Sequence, residues 1–103
     1  MPGAFEIPIV VREVALKKAS DAIIALGVII EGDTDHARLL GEVVTRALQQ
    51  IALEQGVPVI HAVQSLKNEE QARERCLEKR INRGTEAARA AFEMANLVAE
   101  LRK

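Results

Sequence analysis

The sequence predicts an α/β domain built on parallel strands, and three observations carry that expectation. The stretch DAIIALGVIIEGDTDH, Asp21 to His36, is apolar from Ala22 to Ile30 except for Gly27, then turns polar at Glu31. That is the pattern of a buried strand running into a loop. A second run, Val57 to Val63, is rich in β-branched Val57, Val59, Ile60 and Val63. Between the two, Leu40, Val43, Val44, Ala47, Leu48 and Ile51 recur at helical spacing, and parallel strands need such a crossover. In open α/β sheets ligands sit beyond the carboxyl ends of the strands. Gly32, Asp33, Thr34 and His36 therefore fall where a ligand would be held.

Taken in order, Pro2-Gly3 opens a turn and Pro8 suits a first helical turn, so Ile9 to Lys18 reads as a helix ending in Lys17 and Lys18. Its Val10, Val11 and Val14 make a strand the competing reading. After the strand Asp21 to Ile30, Asp33 or Thr34 caps a long helix that runs to Gln55 and stops at Gly56. The second strand follows, with Pro58 tolerated best near a strand start. Asn68, with Gln71 three residues on, starts a short helix through about Leu77. A basic segment, Lys79 to Gly84, leads to Thr85, which can cap a last helix to Leu101 rich in Ala87, Ala88, Ala91 and Ala95.

A chain of 103 residues is one domain's worth. The hydrophobic fraction of 49% and charged fraction of 28% are those of a soluble globular protein. A net charge of -1 asks for neither nucleic acid nor membrane as a partner. No apolar run approaches the roughly 18 residues of a membrane span, and the start MPGAFEIP lacks the order of a secretory signal. Cys76 alone cannot form an intrachain disulfide, which makes a reducing cytoplasm the simplest home. Two strands are also too few for a sheet covered on both faces. Such a unit is expected to recruit strands from another chain or to assemble into an oligomer.

Among the polar residues, His36 stands in the first turn after the loop and is either a proton-transfer residue or an exposed first-turn histidine. Gly32-Asp33-Thr34 is either an anion cradle or a turn and helix cap. Arg73, Arg75, Lys79, Arg80 and Arg83 form the one basic concentration, and Arg75 or Arg83 could clamp a phosphate, although a solvated helix end is the commoner explanation. His61, inside the second strand, reads as a hydrogen-bonded core histidine rather than a ligand, and Cys76 as packing. Neither histidine belongs to a spaced set that would hold zinc, and there is no P-loop, GxGxxG or GxSxG.

Three segments in order, Pro2-Gly3-Ala4-Phe5-Glu6-Ile7-Pro8, Ala25 to His36, and Asn82-Arg83-Gly84-Thr85-Glu86-Ala87-Ala88 through Phe92-Glu93-Met94, resemble the lumazine synthase family. The resemblance implies a three-layer α/β/α fold with a flavodoxin-like parallel sheet, of which this chain holds only the C-terminal two strands in a single domain, 1–103. It implies a cofactor-free condensation, in riboflavin biosynthesis, of 5-amino-6-(D-ribitylamino)uracil with 3,4-dihydroxy-2-butanone 4-phosphate to 6,7-dimethyl-8-ribityllumazine. It further implies that Ala4, Phe5, Glu6, Val28, Ile29 and Ile30 line the ribityl and uracil site. Asp33 and Thr34 would hold the phosphate ketone and His36 would move protons. From a neighbouring subunit Arg75 would bind phosphate, with Arg83 and Glu86 close by.

Two side chains depart from the family's habit: His61 stands where a phenylalanine usually packs on the uracil ring, and Arg83 where lysine is usual. The resemblance also places the first strand, first helix and second strand of the family before the PGAFEIP motif. It implies pentamers or larger shells, or a separate chain that supplies the missing strands. Two other readings stay open, a catalytically silent assembly module and a generic phosphate-binding α/β domain.

Overall fold

The computed structural model describes residues 3–30, 35–66 and 83–103. A 3-10 turn, Ala4–Glu6, leads into helix α1, Ile7–Leu16. Strand β1, Ile23–Ile30, is joined by helix α2, His36–Gln55, to strand β2, Val59–Leu66, and helix α3, Arg83–Leu101, follows. Among the described residues the architecture is α/β, with a two-stranded parallel sheet and three helices. It is consistent with the C-terminal part of a flavodoxin-like fold. The expected short helix after Asn68 lies outside the described residues.

The helix reading of the first segment wins over the strand reading because Ile7, Val11 and Ala15, spaced by four, form one buried stripe. It begins two residues earlier than expected, with Pro8 inside the first turn, where its missing N–H costs nothing. The cap of α2 is Asp35 rather than Asp33 or Thr34. The Arg38 guanidinium lies 3.8 Å from the Asp35 carboxylate and 3.2 Å from that of Glu42. Thr85 is likewise no cap, since it stands inside α3, whose first turn carries an ion pair of 2.7 Å between Arg83 and Glu86.

Helix α2 stops where expected. Gly56 takes a left-handed φ of 68° and donates its N–H to the Ala52 carbonyl at 2.9 Å. Two cations from distant segments meet the carbonyls at this end: Lys18 Nζ donates to Gln55 O at 3.3 Å and Arg102 Nη2 to Gly56 O at 2.6 Å.

The strands pair in parallel register from Ile23 opposite Val59 to Ile30 opposite Leu66. Strand β2 thus starts two residues later than its apolar run and continues through Gln64 and Ser65, because backbone pairing with β1 sets its length, not hydropathy. Pro58 lies just before it and accepts the Ile23 N–H at 2.9 Å.

Side chains alternate across a strand. One face of the sheet packs on α1 and α2, where Ile7, Val11, Ala15, Ile23, Ala25, Val44, Leu48, Ile51 and Val57 form one buried core. Val44 and Leu48 are wholly enclosed. The opposite face meets α3 only in part.

There the expectation of a strand buried on both faces fails. Ile24, Leu26, Val28 and Ile30 are 38% to 62% exposed. The chain exposes 7380 Å² for 11.3 kDa, against about 5,700 Å² for a compact monomer of that mass. No described helix is long and apolar enough to cross a membrane.

Candidate functional site

The carboxyl end of β1 and the start of α2 enclose a hollow of about 380 Å³. Val28, Ile29 and Ile30 form its strand wall, His36, Ala37 and Leu40 its helix wall, and Ala4 reaches it from the 3-10 turn. The helical spacing of His36 and Leu40 puts both on one side of α2. The turn is held near the strand by close packing beneath it. A Cβ built on Gly27 would lie 2.9 Å from Ile7 Cδ1, closer than real side chains come. A side chain at this position would require the far end of the Ile7 side chain to move. A smaller cleft of about 220 Å³, lined by Gly3, Ala4, Ile7, Leu26, Gly27 and Val28, continues from the first along the other side of the turn.

Five of the residues expected at the ligand site, Ala4, Val28, Ile29, Ile30 and His36, therefore share one hollow. Phe5 and Glu6 belong to the same turn, but Phe5 is 64% exposed and neither lines the hollow. Asp33, Thr34 and Arg75 lie outside the described residues. Arg83 and Glu86 pair with one another on α3 and line neither this hollow nor the cleft beside it. No cluster of metal-binding side chains occurs among the described residues.

His61 is held elsewhere, in a wider open hollow of about 1220 Å³ between α2 and β2. Its wall includes Thr45, Arg46, Gln49, Val63 and Ser65, and Ile29 and Ala37 separate it from the first hollow. The ring is hydrogen-bonded, as expected of a strand histidine, but it is exposed rather than part of the core. The Val63 N–H donates to Nδ1 at 3.1 Å, and Nε2 lies 2.7 Å from Thr45 Oγ1. Partial removal from water lowers the His61 pKa from its ordinary 6.5.

Sequence reasoning passed over Gly27, Ala37, Leu40 and Thr45 as site residues. Gly27 was visible as the single interruption of the apolar run. Thr45 had no local signal, because its partner is 16 positions away.

These positions can be set beside known proteins. The family model for 6,7-dimethyl-8-ribityllumazine synthase matches residues 1–99. The chain belongs to the 6,7-dimethyl-8-ribityllumazine synthase family. Among curated proteins of that name, the one from Clostridium kluyveri is 43% identical over 101 residues, covering 98% of this chain and 66% of the relative. That of Pelodictyon phaeoclathratiforme is 46% identical over 100 residues, 97% of this chain and 64% of its own. That of Chlorobium limicola is 45% identical over 96 residues, 93% and 62%. The lumazine synthase-family chain thus spans just under two thirds of the length of these relatives.

Proposed function

We propose that this chain, as a single domain, carries the substrate pocket and proton-transfer histidine of a lumazine synthase. It would condense 5-amino-6-(D-ribitylamino)uracil with 3,4-dihydroxy-2-butanone 4-phosphate to 6,7-dimethyl-8-ribityllumazine, as part of riboflavin biosynthesis in the cytoplasm. The observation that carries this reading is the 380 Å³ hollow, which gathers Ala4, Val28, Ile29, Ile30 and His36 at the carboxyl end of β1. Family membership agrees with it.

The chemistry suits such a place. The uracil's primary amine attacks the ketone carbon, a C–N bond forms, and the carbonyl oxygen takes up protons and leaves as water. Phosphate departs by C–O cleavage, the enol left behind tautomerises to a ketone, and the ribitylamino nitrogen attacks that ketone and closes the ring as a second water leaves. Each of these losses needs a group that gives and takes protons, a role assigned to His36 at the helix start. Asp33 and Thr34 would hold the phosphate ketone, Arg75 of a neighbouring subunit would bind its phosphate with Arg83 and Glu86 close by, and His61 stands where the family packs a phenylalanine on the uracil ring. Phe5 and Glu6 would complete the ring and ribityl contacts. Holding amine and ketone together supplies much of the rate. No cofactor or metal is assigned, and neither nucleic acid nor membrane is a partner in this reading.

A second reading, a catalytically silent module of a homo-oligomeric shell, is favoured by the exposed Leu26, Val28 and Ile30. That face calls for cover from neighbouring subunits of a pentamer or larger assembly, or from a chain that supplies further strands.

One assay separates the two. The purified chain is mixed with both substrates and the fluorescence of the lumazine is followed. Turnover is expected, and His36→Ala should lower it by about 10²-fold or more, with Arg75→Ala raising KM for the phosphate ketone. Unchanged turnover in both variants sinks the site assignment. A well-folded oligomer by light scattering that makes no lumazine establishes the silent module.

A further inference from the structure

Strand β2 has β1 on one side, and among the described residues no strand lies on its other. Pro58 O accepts the Ile23 N–H, so along the parallel ladder the backbone groups of Ile60, Ala62 and Gln64 also point toward β1. Those of Val59, His61 and Val63 point to the outer edge. An open strand edge is commonly guarded by proline or by charged side chains. β2, VIHAVQSL, holds neither, and His61 is its one titratable residue.

His61 meets this edge itself. The Val63 N–H donates to Nδ1 at 3.1 Å, and since a backbone N–H can only donate, Nδ1 must accept. The neutral ring then carries its proton on Nε2, which lies 2.7 Å from Thr45 Oγ1. The ring is thus held between its own strand and α2. Val44, the residue before Thr45, is wholly enclosed, so the core fixes the α2 anchor. A doubly protonated ring cannot keep this arrangement, because its Nδ1–H would face the Val63 N–H as donor against donor.

Among the described residues, the charged groups that share the hollow with the ring all come from α2: Asp35, Glu42 and Glu54 against Arg38 and Arg46. Arg38 is engaged by Asp35 and Glu42, and Glu54 accepts from Gln50 at 2.9 Å. β1 and β2 bring no charge to this wall, and α3 lies on the opposite face of the sheet. With both signs present, partial removal from water governs the ring and favours its neutral form.

We propose that His61 is a pH-operated cap on the outer edge of β2, covering the Val63 N–H when neutral and releasing it when protonated. The released donor is what an added strand would pair with. A phenylalanine at this position could not act in this way.

The test is amide hydrogen exchange on the full chain, with each rate divided by the intrinsic rate at the same pH. At pH 7.5 the Val63 amide should be protected about three- to tenfold more than in His61→Phe, while Ala62, whose N–H points to β1, is protected equally in both. On acidification Val63 protection should fall with the midpoint of the His61 ring titration. Nitrogen-15 shifts of the ring give that midpoint, and they should report the Nε2–H tautomer at neutral pH. An Nδ1–H tautomer, equal Val63 protection in His61→Phe, or a loss at Val63 that does not follow the ring titration overturns the proposal. Loss at Val63 and Ala62 together in acid is unfolding, and the comparison with His61→Phe at pH 7.5 then decides.

Discussion

The two faces of the sheet are made from the same two strands and behave differently. On the face toward α1 and α2, Ile23, Ala25 and Ile29 of β1 are buried, and Ile23 and Ala25 join a core in which Val44 and Leu48 are fully enclosed. On the other, Ile24, Leu26, Val28 and Ile30 are equally apolar and substantially exposed, and α3 contributes only Ala87 as a buried residue. Hydropathy of the strand is thus the same on both sides, while burial follows what covers it. Cover at about 25 cal/mol per Å² of apolar surface is what turns those side chains into stability. The first face holds the chain folded; the second stays largely open to water.

The sharpest way to break this contrast is to truncate one residue from each face. Leu48→Ala opens a cavity in the enclosed core and should cost about 2–5 kcal/mol, read as a lowered urea midpoint. Leu26→Ser on the outer face should stay within about 0.5 kcal/mol for the isolated chain. Equal losses would show that the outer face is already covered in solution and that the contrast describes one chain rather than the protein.

The next effect lies on the covered face, at the cleft lined by Ile7 and Gly27. Gly27→Ala places a methyl 2.9 Å from Ile7 Cδ1, while its contacts with Val63, at 3.6 and 3.7 Å, are ordinary. Overpacking of this kind costs about 1–3 kcal/mol. Ile7→Val removes the Cδ1 atom itself, so the double variant should recover most of the loss. Additive losses in thermal unfolding would mean that the close approach of α1 to β1 is not what glycine serves there.

How much of this was legible in the sequence divides along the same line. The strand–helix–strand unit, the Gly56 stop and the end of α3 at Leu101 were readable, because apolar periodicity and a left-handed cap are local signals. His36 was readable as a candidate for the same reason, as a strand end handing over to a helix start, whereas Val28, Ile29 and Ile30 beside it in the hollow came from the family resemblance and not from periodicity. The exposure of Leu26 and Val28 was not, since a strand buried on both faces and one covered on one face share the same composition. Nor were the caps: Asp35 and not Thr34 precedes α2, and Thr85 lies inside α3, because several adjacent polar residues could each serve and packing chooses among them. The pairing of His61 with Thr45 joins two elements and leaves no periodic trace.

That pairing gives the smallest effect and a test of whether the covered face extends to its rim. His61 titrates below its ordinary 6.5 because the fold removes part of its water. The unfolded chain therefore takes up a proton at a higher pH than the folded one. The contribution of neutral His61 to stability is fully present above pH 6.5, and it declines as pH falls through the folded-state value. Protonation must also displace the Val63 N–H from Nδ1, which cannot accept once it carries hydrogen. Urea unfolding between pH 7.5 and pH 5.5 should show stability falling toward the acid end, and His61→Phe should flatten that slope. An identical slope in the variant would mean that the ring is as well hydrated in the fold as in the unfolded chain, and that cover ends before β2 reaches the hollow.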